Sequence, residues 1–298
     1  MNVLITGACG LLGAHLSMQM SQRHRVAGID RHPWWGDKTV EVLQGDLQEV
    51  ALIDTAIARF SPDVLVHCAA LVDVDACERA PGTAFEINAG VTYNLVARIP
   101  PHCLFVYISS DAVFSGDSQR WTEDQIPEPS NAYSRSKLQG ELETRKAAQH
   151  LIVRTNFYGW SSGRKKTSAE WLYNALANRD SITLFDDFFF TPIYVADLTR
   201  YLTSLVDRSC QGLLHVAGRD RVSKYEFGEK MAMQMAVPVD NIVPGRLADA
   251  GFHAKRSPDI SLSTARAEQL WGFVPPACDE GIARFLSDHG RPLSERLS

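Results

Sequence analysis

Tyr133 and Lys137 stand at i and i+4 in the run Asn131-Ala132-Tyr133-Ser134-Arg135-Ser136-Lys137. The run reads as the opening of a helix that continues through Leu138, Gly140, Leu142 and Ala147, and residues four apart on a helix share a face. A phenol beside an ammonium is a proton-transfer pair. A free tyrosine titrates near 10, and a cation that favours phenolate by about three units supplies roughly 4 kcal/mol. Tyr133 would then exchange protons near neutrality. Taken alone, the spacing equally fits an exposed helix face with a lysine stem lying over a ring. Tyr107-Ile108-Ser109-Ser110-Asp111 changes the balance. It is an apolar strand ending in hydroxyls, at the sheet edge where parallel strands present ligand-binding groups.

A second set of residues points to the same crevice. The strand-like Val3-Leu4-Ile5-Thr6 runs into Gly7, Gly10 and Gly13, and a helical stretch from Leu12 to Met20 follows at once. Glycines allow a tight turn and let backbone N–H groups reach a pyrophosphate, and a helix N-terminus favours negative charge. The spacing G-x-x-G-x-x-G departs from G-x-G-x-x-G, so its weight comes from the strand-turn-helix context. Asp30 ends the next strand, 17 positions after Gly13, where a carboxylate accepts hydrogen bonds from an adenosine ribose. That favours NAD(H). Its neighbour Arg31 suits the extra phosphate of NADP(H), so both cofactors stay open.

The elements that position these residues alternate short apolar runs with helical patterns, the mark of a parallel sheet wrapped by helices. Strands are predicted at Val3 to Thr6, Arg25 to Asp30, Val40 to Gln44, Val64 to Ala70, Leu104 to Ser109 and Leu151 to Arg154. After Arg154 a loop from Gly159 to Ser168 precedes a helix from Ala169 to Asn178. Ile193 to Leu205 and the strand-like Leu213 to Ala217 then revisit the sheet. The expected fold is an α/β, Rossmann-type doubly wound parallel sheet with a smaller C-terminal substrate-binding lobe. Residues 1–158, rejoined by about 191–217, form the cofactor domain; 159–190 and 218–298 form the lobe.

With 298 residues, 45% apolar and 22% charged, the chain suits a folded enzyme. A net charge of -5 leaves no basic surplus for nucleic acid. The one compact basic cluster, Arg164-Lys165-Lys166, reads as a solvated loop or a site for a substrate phosphate. Six cysteines without regular spacing read as free thiols in a reducing compartment. Without a signal-peptide pattern or a membrane-spanning apolar stretch, a cytoplasmic protein is expected. Neither the acids Asp73, Asp75 and Glu78, nor Asp186-Asp187, nor the histidines have metal-site spacing, so no metal is expected.

These motifs together resemble the extended short-chain dehydrogenase/reductases, and within them the dTDP-4-dehydrorhamnose reductase branch. The likeness spans nearly the whole chain. It rests on Gly7, Gly10 and Gly13; His67 to Glu78; Ser109-Ser110-Asp111 with Val113-Phe114; Pro129 to Glu141; Arg154-Thr155; Thr191-Pro192; Asp197-Leu198; Leu214-His215; and Arg256 to Leu262. The resemblance implies that Ser110 holds a substrate carbonyl and Tyr133 protonates it. Lys137 binds the nicotinamide ribose and lowers the tyrosine pKa. Leu11 and Leu12 belong to the phosphate turn, Asp46 and Leu47 meet the adenine, and Ala69 and Ala70 lie along the cofactor. Asp111, Ala112, Asn156, Phe157 and Arg256 are the candidate sugar-nucleotide contacts. A homodimer is a further implication. Three departures from the branch stand out: serine at 110 for a frequent threonine, Ala112 for a common tyrosine, and His67-Cys68 for a usual Asn-Ala.

The expected activity is NAD(P)H-dependent reduction of the 4-keto group of a nucleotide-linked 6-deoxy sugar. An NAD-dependent epimerase or dehydratase of the same fold is the nearest alternative, motivated by Asp30. A non-catalytic nucleotide-binding regulatory subunit is the alternative from another class.

Overall fold

The computed structural model describes residues 1–161 and 166–296. Seven strands form one parallel sheet in the order Gly212–His215, Gln149–Arg154, Leu104–Ile108, Val64–His67, Asn2–Thr6, Arg25–Asp30, Glu41–Gln44. Every neighbouring pair is parallel. The central strands are apolar because helices cover both faces: all residues of Leu104–Ile108 and of Val64–His67 are buried, as strands of parallel sheets are. From Asn2–Thr6 the chain builds outward in one direction, then returns to place Val64–His67 on the other side. That reversal opens a crevice at the C-terminal ends of these two strands.

The doubly wound α/β class is as expected, with adjustments at element ends. The fourth strand stops at His67 rather than reaching Ala70. Cys68 N–H still bonds Thr6 O at 3.2 Å, but Ala69 N–H turns to the Thr6 hydroxyl at 3.4 Å. The fifth ends at Ile108, one residue before Ser109, and the third begins at Glu41 rather than Val40. The helix carrying Tyr133 and Lys137 spans Ala132–Thr144 and is capped by Asn131, whose side chain accepts from Ser134 N–H. It does not reach Ala147, because Ala147 N–H bonds Thr144 O in a tighter turn that feeds Gln149–Arg154.

Beyond the sheet, helix Ser168–Asn178 starts on a capping box between Thr167 and Glu170. Helix Lys224–Gln234 starts on another, between Ser223 and Glu226. A small parallel ladder joins Ile182–Phe185 to Ile242–Gly245. The expected segment Ile193 to Leu205 divides into a two-residue strand, Ile193–Tyr194, and helix Val195–Asp207. One apolar cluster runs from Val3, Ile5 and Val153 in the sheet to Leu176, Leu184 and Phe227 outside it. Trp160 stacks on Phe285 within it at 4.3 Å, and burying each such side chain contributes about 1.5–3 kcal/mol. Among the described residues, no helix is long and apolar enough to cross a membrane.

Candidate active site

At the crevice the first strand turns through Gly7, which has φ +67°, a conformation costly for any side chain. Gly13 packs so closely on this turn that a Cβ there would stand 2.0 Å from Gly7 O. Helix Leu11–Ser21 begins at Gly10 with no side-chain cap, leaving first-turn N–H groups for an anion. Gly7, Gly10, Leu11, Asp30, Arg31, Asp46, Leu47, Ala69 and Ala70 all line one groove of about 410 Å³. Leu12 and Gly13 instead are buried and are not among its lining residues. The groove also takes in Cys9 of the glycine turn and Cys68 of the His67-Cys68 departure, together with His32, Gln48, Ile87 and Val91, which no motif singles out. Its glycine turn and uncapped helix fit a dinucleotide.

The Asp30 carboxylate is already engaged. Its Oδ2 accepts from Cys9 N–H and its Oδ1 from His32 N–H, both at 2.9 Å. Asp30 therefore pins the glycine turn to the second strand end. Arg31 is exposed at the groove's rim, so its guanidinium is free to reach a phosphate.

Ser110 caps a short 3-10 turn, Asp111–Val113: its Oγ accepts from Ala112 N–H and donates to Asp111 Oδ1, each at 3.1 Å. Tyr133, half-buried, shares a hydrogen bond with Ser110. Lys137 is buried; its Nζ donates to Ile108 O at 2.8 Å and lies 4.1 Å from the centre of the Tyr107 ring. Burial pushes the Tyr133 phenol up to about 12, opposed by the Ser110 hydrogen bond. Burial also pulls Lys137 down to about 7, against the Glu141 charge. The expected lowering of the tyrosine pKa is thus replaced by a rise. Burial dominates the shift at both residues, raising the phenol and lowering the ammonium.

Glu141 continues that face one turn beyond Lys137. It holds Arg154 through two bonds, Nε to Oε1 at 2.8 Å and Nη2 to Oε2 at 2.7 Å, and accepts from Ser109 Oγ at 2.6 Å. A π-turn at Glu86–Gly90 brings buried Asn88 onto Ser136 Oγ at 2.9 Å and onto both backbone groups of Leu71. Asn88 and Glu141 both anchor the tyrosine helix; Glu141 closes the Pro129 to Glu141 motif, whereas no motif singles out Asn88.

On the opposite side Asn156 Nδ2 donates to Asp111 Oδ2 at 2.6 Å. Burial raises the Asp111 carboxyl to about 6, with Asn156 and Lys224 opposing. Asn156 and Phe157 open onto a second cavity, about 370 Å³, walled by Trp171, Phe185, Phe188, Phe190, Phe227 and Phe252, with Lys224 at its edge. Ala112 stays in the 3-10 turn. Arg256 pairs with Asp75 at 3.2 Å and covers the Phe252 ring at 4.6 Å, so it meets this cavity through Phe252. Lys224 had a legible signal, the capping box Ser223-x-x-Glu226 that opens its helix.

The acidic clusters have structural partners. Asp73 caps a helix, Asp75 takes Arg256, and Glu78 accepts from Ala132 N–H at 2.6 Å. Asp186 and Asp187 face Arg246. None of the six cysteines is in a disulfide. Of the basic cluster, Arg164 and Lys165 lie outside the described residues, and Lys166 is exposed.

Comparison with known proteins agrees with this architecture. The chain is 29% identical over 297 residues to a probable low-salt glycan biosynthesis reductase, Agl14, of Haloferax volcanii, covering 95% of this chain and 96% of that protein. It is 30% identical over 281 residues to methionine adenosyltransferase 2 subunit beta of Rattus norvegicus, covering 90% and 82%. The crystal structure of dTDP-4-dehydrorhamnose reductase from Bacillus anthracis in complex with NADP superposes with a TM-score of 0.86 at 27% identity, over 96% of this chain and 98% of that one. The model of the RmlD substrate binding domain matches residues 1–290, and the chain belongs to that family, within the extended short-chain dehydrogenase/reductases.

Proposed function

We propose that this chain is an NAD(P)H-dependent oxidoreductase that reduces the 4-keto group of a nucleotide-linked 6-deoxy sugar. One observation carries the reading: a hydrogen-bonded run from Ser110 through Asp111 to Asn156 starts beside Tyr133 and ends at the aromatic cavity. Cys68 lines the groove and neighbours Lys137. Tyr133 bonds Ser110, Ser110 bonds Asp111, and Asp111 bonds Asn156 at the mouth of the aromatic cavity. A reacting carbonyl between the cavities would meet both hydroxyls. Relatives that are a probable reductase of glycan biosynthesis and an NADP-bound sugar-nucleotide reductase support the same reading.

A bound dinucleotide supplies hydride to the carbonyl carbon; the chain's own residues do the rest. Backbone groups of Gly7, Gly10, Leu11, Leu12 and Gly13 take the pyrophosphate, Asp46 and Leu47 border the adenine, and Ala69 and Ala70 line the path between. Ser110 Oγ orients the carbonyl oxygen. The Tyr133 phenol, protonated at neutral pH, gives its proton to that oxygen. Lys137 holds the ribose and offsets the phenolate left behind, which solvent then reprotonates. Asp111, Ala112, Asn156, Phe157 and Arg256 border the sugar. On this reading residues 1–158 with 191–217 bind the cofactor, and 159–190 with 218–298 bind the substrate.

The test mixes the protein with NADPH, then NADH, adds dTDP-4-dehydrorhamnose, and follows the absorbance of the reduced nicotinamide. Consumption should require the sugar and fall by at least about 100-fold in Tyr133→Phe, while cofactor binding persists. Tightly held NAD without net consumption would favour epimerase or dehydratase chemistry. The relative that is a subunit of methionine adenosyltransferase favours a regulatory reading, which gains if no sugar nucleotide is consumed.

A further inference from the structure

The aromatic cavity has a single charged residue in its described lining, Lys224. Its ammonium rests against ring faces, 3.3 Å from the centre of Phe190 and 5.3 Å from that of Phe188. Among the described residues it has no ion pair or side-chain hydrogen bond. Across the cavity mouth the nearest opposite charge is Asp111, close enough to be felt electrostatically but outside ion-pair distance. Burial lowers the lysine to about 8, so it stays mostly charged at neutrality. Lys224 is also the first residue of helix Lys224–Gln234, where the helix dipole disfavours a cation. A partly buried ammonium with three unused donors, placed against a dipole, is costly unless something anionic completes it.

Resting on the function proposed above, we propose that Lys224 holds the diphosphate of the nucleotide-sugar substrate, with the aromatic wall beside it taking the base. A diphosphate supplies the missing charge and acceptors. It leaves the sugar end facing Asn156 and Asp111, which lead to Ser110 and Tyr133. Trp171, Phe185 and Phe252 offer flat apolar faces on which a base can stack. Lys224 is then a specificity residue that separates nucleoside diphosphates from uncharged nucleosides.

The test is calorimetric titration of the NADPH-loaded protein with dTDP, UDP, GDP and thymidine, in wild type, Lys224→Met and Lys224→Arg. Lys224→Met should weaken binding of the preferred diphosphate by about 10- to 100-fold, the loss of a charge-assisted contact, and leave thymidine within about twofold of wild type. Lys224→Arg should keep most of the affinity. With the sugar nucleotide, Lys224→Met should raise KM more than it lowers kcat. Unchanged diphosphate affinity in Lys224→Met overturns the assignment and leaves the reductase reading standing. A fall in kcat at constant KM also overturns it, since Lys224 would then act on Asp111. If wild type binds no nucleoside diphosphate, the sugar-nucleotide reading itself fails.

Discussion

His67 should make this fold sensitive to mild acid, and His67→Asn should remove much of that sensitivity. The ring is 1% exposed at the end of the fourth strand. Its Nδ1 meets Thr6 Oγ1 at 2.6 Å, and its Nε2 has no partner among the described residues. Burial, aided by the nearby Lys137 charge, depresses its pKa from 6.5 to about 3. A histidine depressed in the folded state contributes stability that is full above its unfolded pKa and lost as pH falls toward the folded one. At about pH 5 the unfolded chain gains about 1.5 units of proton affinity that the folded chain cannot use, or about 2 kcal/mol. Asparagine keeps a hydrogen-bonding group for Thr6 and has no proton to take up. Urea unfolding of both proteins at pH 8 and pH 5 gives the comparison. Wild type should lose about 2 kcal/mol more than the variant between the two conditions. His15 and His215, depressed to about 4 and about 3, add acid sensitivity equally to both proteins and cancel. Equal losses in the two proteins would show that His67 is hydrated or protonated in the folded state, and the reasoning from burial would fail.

Two further outcomes follow from the site. Arg31→Ala should raise KM for NADPH by about 10- to 100-fold, the loss of one charge-assisted phosphate contact, and leave KM for NADH within about twofold; equal changes would assign the 2'-phosphate elsewhere. Glu141→Gln leaves buried Arg154 without its counter-charge and should cost about 3–5 kcal/mol in urea unfolding, whereas replacing both residues by methionine should cost less than the single change. A single-variant loss below about 1 kcal/mol would mean that the pair is solvated.

The sheet was legible because its signal is local. Buried parallel strands must be continuous apolar runs, and Leu104–Ile108 and Arg25–Asp30 appear in the sequence almost as they fold. Strand ends were less legible, since they depend on partners distant in sequence. Whether the fourth strand stops at His67 or Ala70 is decided by Thr6, whose hydroxyl draws Ala69 N–H out of the ladder. The glycine turn was legible for a related reason: Gly13 permits no side chain at 2.0 Å from Gly7 O, so the constraint falls on residue type. His32 and Gln48 reach the same groove through loops that have no such constraint and leave no pattern.

The candidate catalytic residues could be picked out from spacing, but their protonation could not, because spacing sets distance and burial sets charge. An i, i+4 pair on a solvated helix would let Lys137 draw Tyr133 toward phenolate. Here the lysine ammonium is turned to Ile108 O and the face of Tyr107, with Glu141 one turn further along. The phenol is turned instead to Ser110, beside a carboxyl that is itself raised to about 6. Each group is thereby held closer to its neutral form: the phenol keeps its proton, the ammonium readily releases one, and Asp111 readily takes one up. On the function proposed above, where the site delivers a proton to a ketone, a tyrosine that stays protonated is the useful state. On that same reading Lys137 would matter chiefly after transfer, when a phenolate exists for its charge to offset.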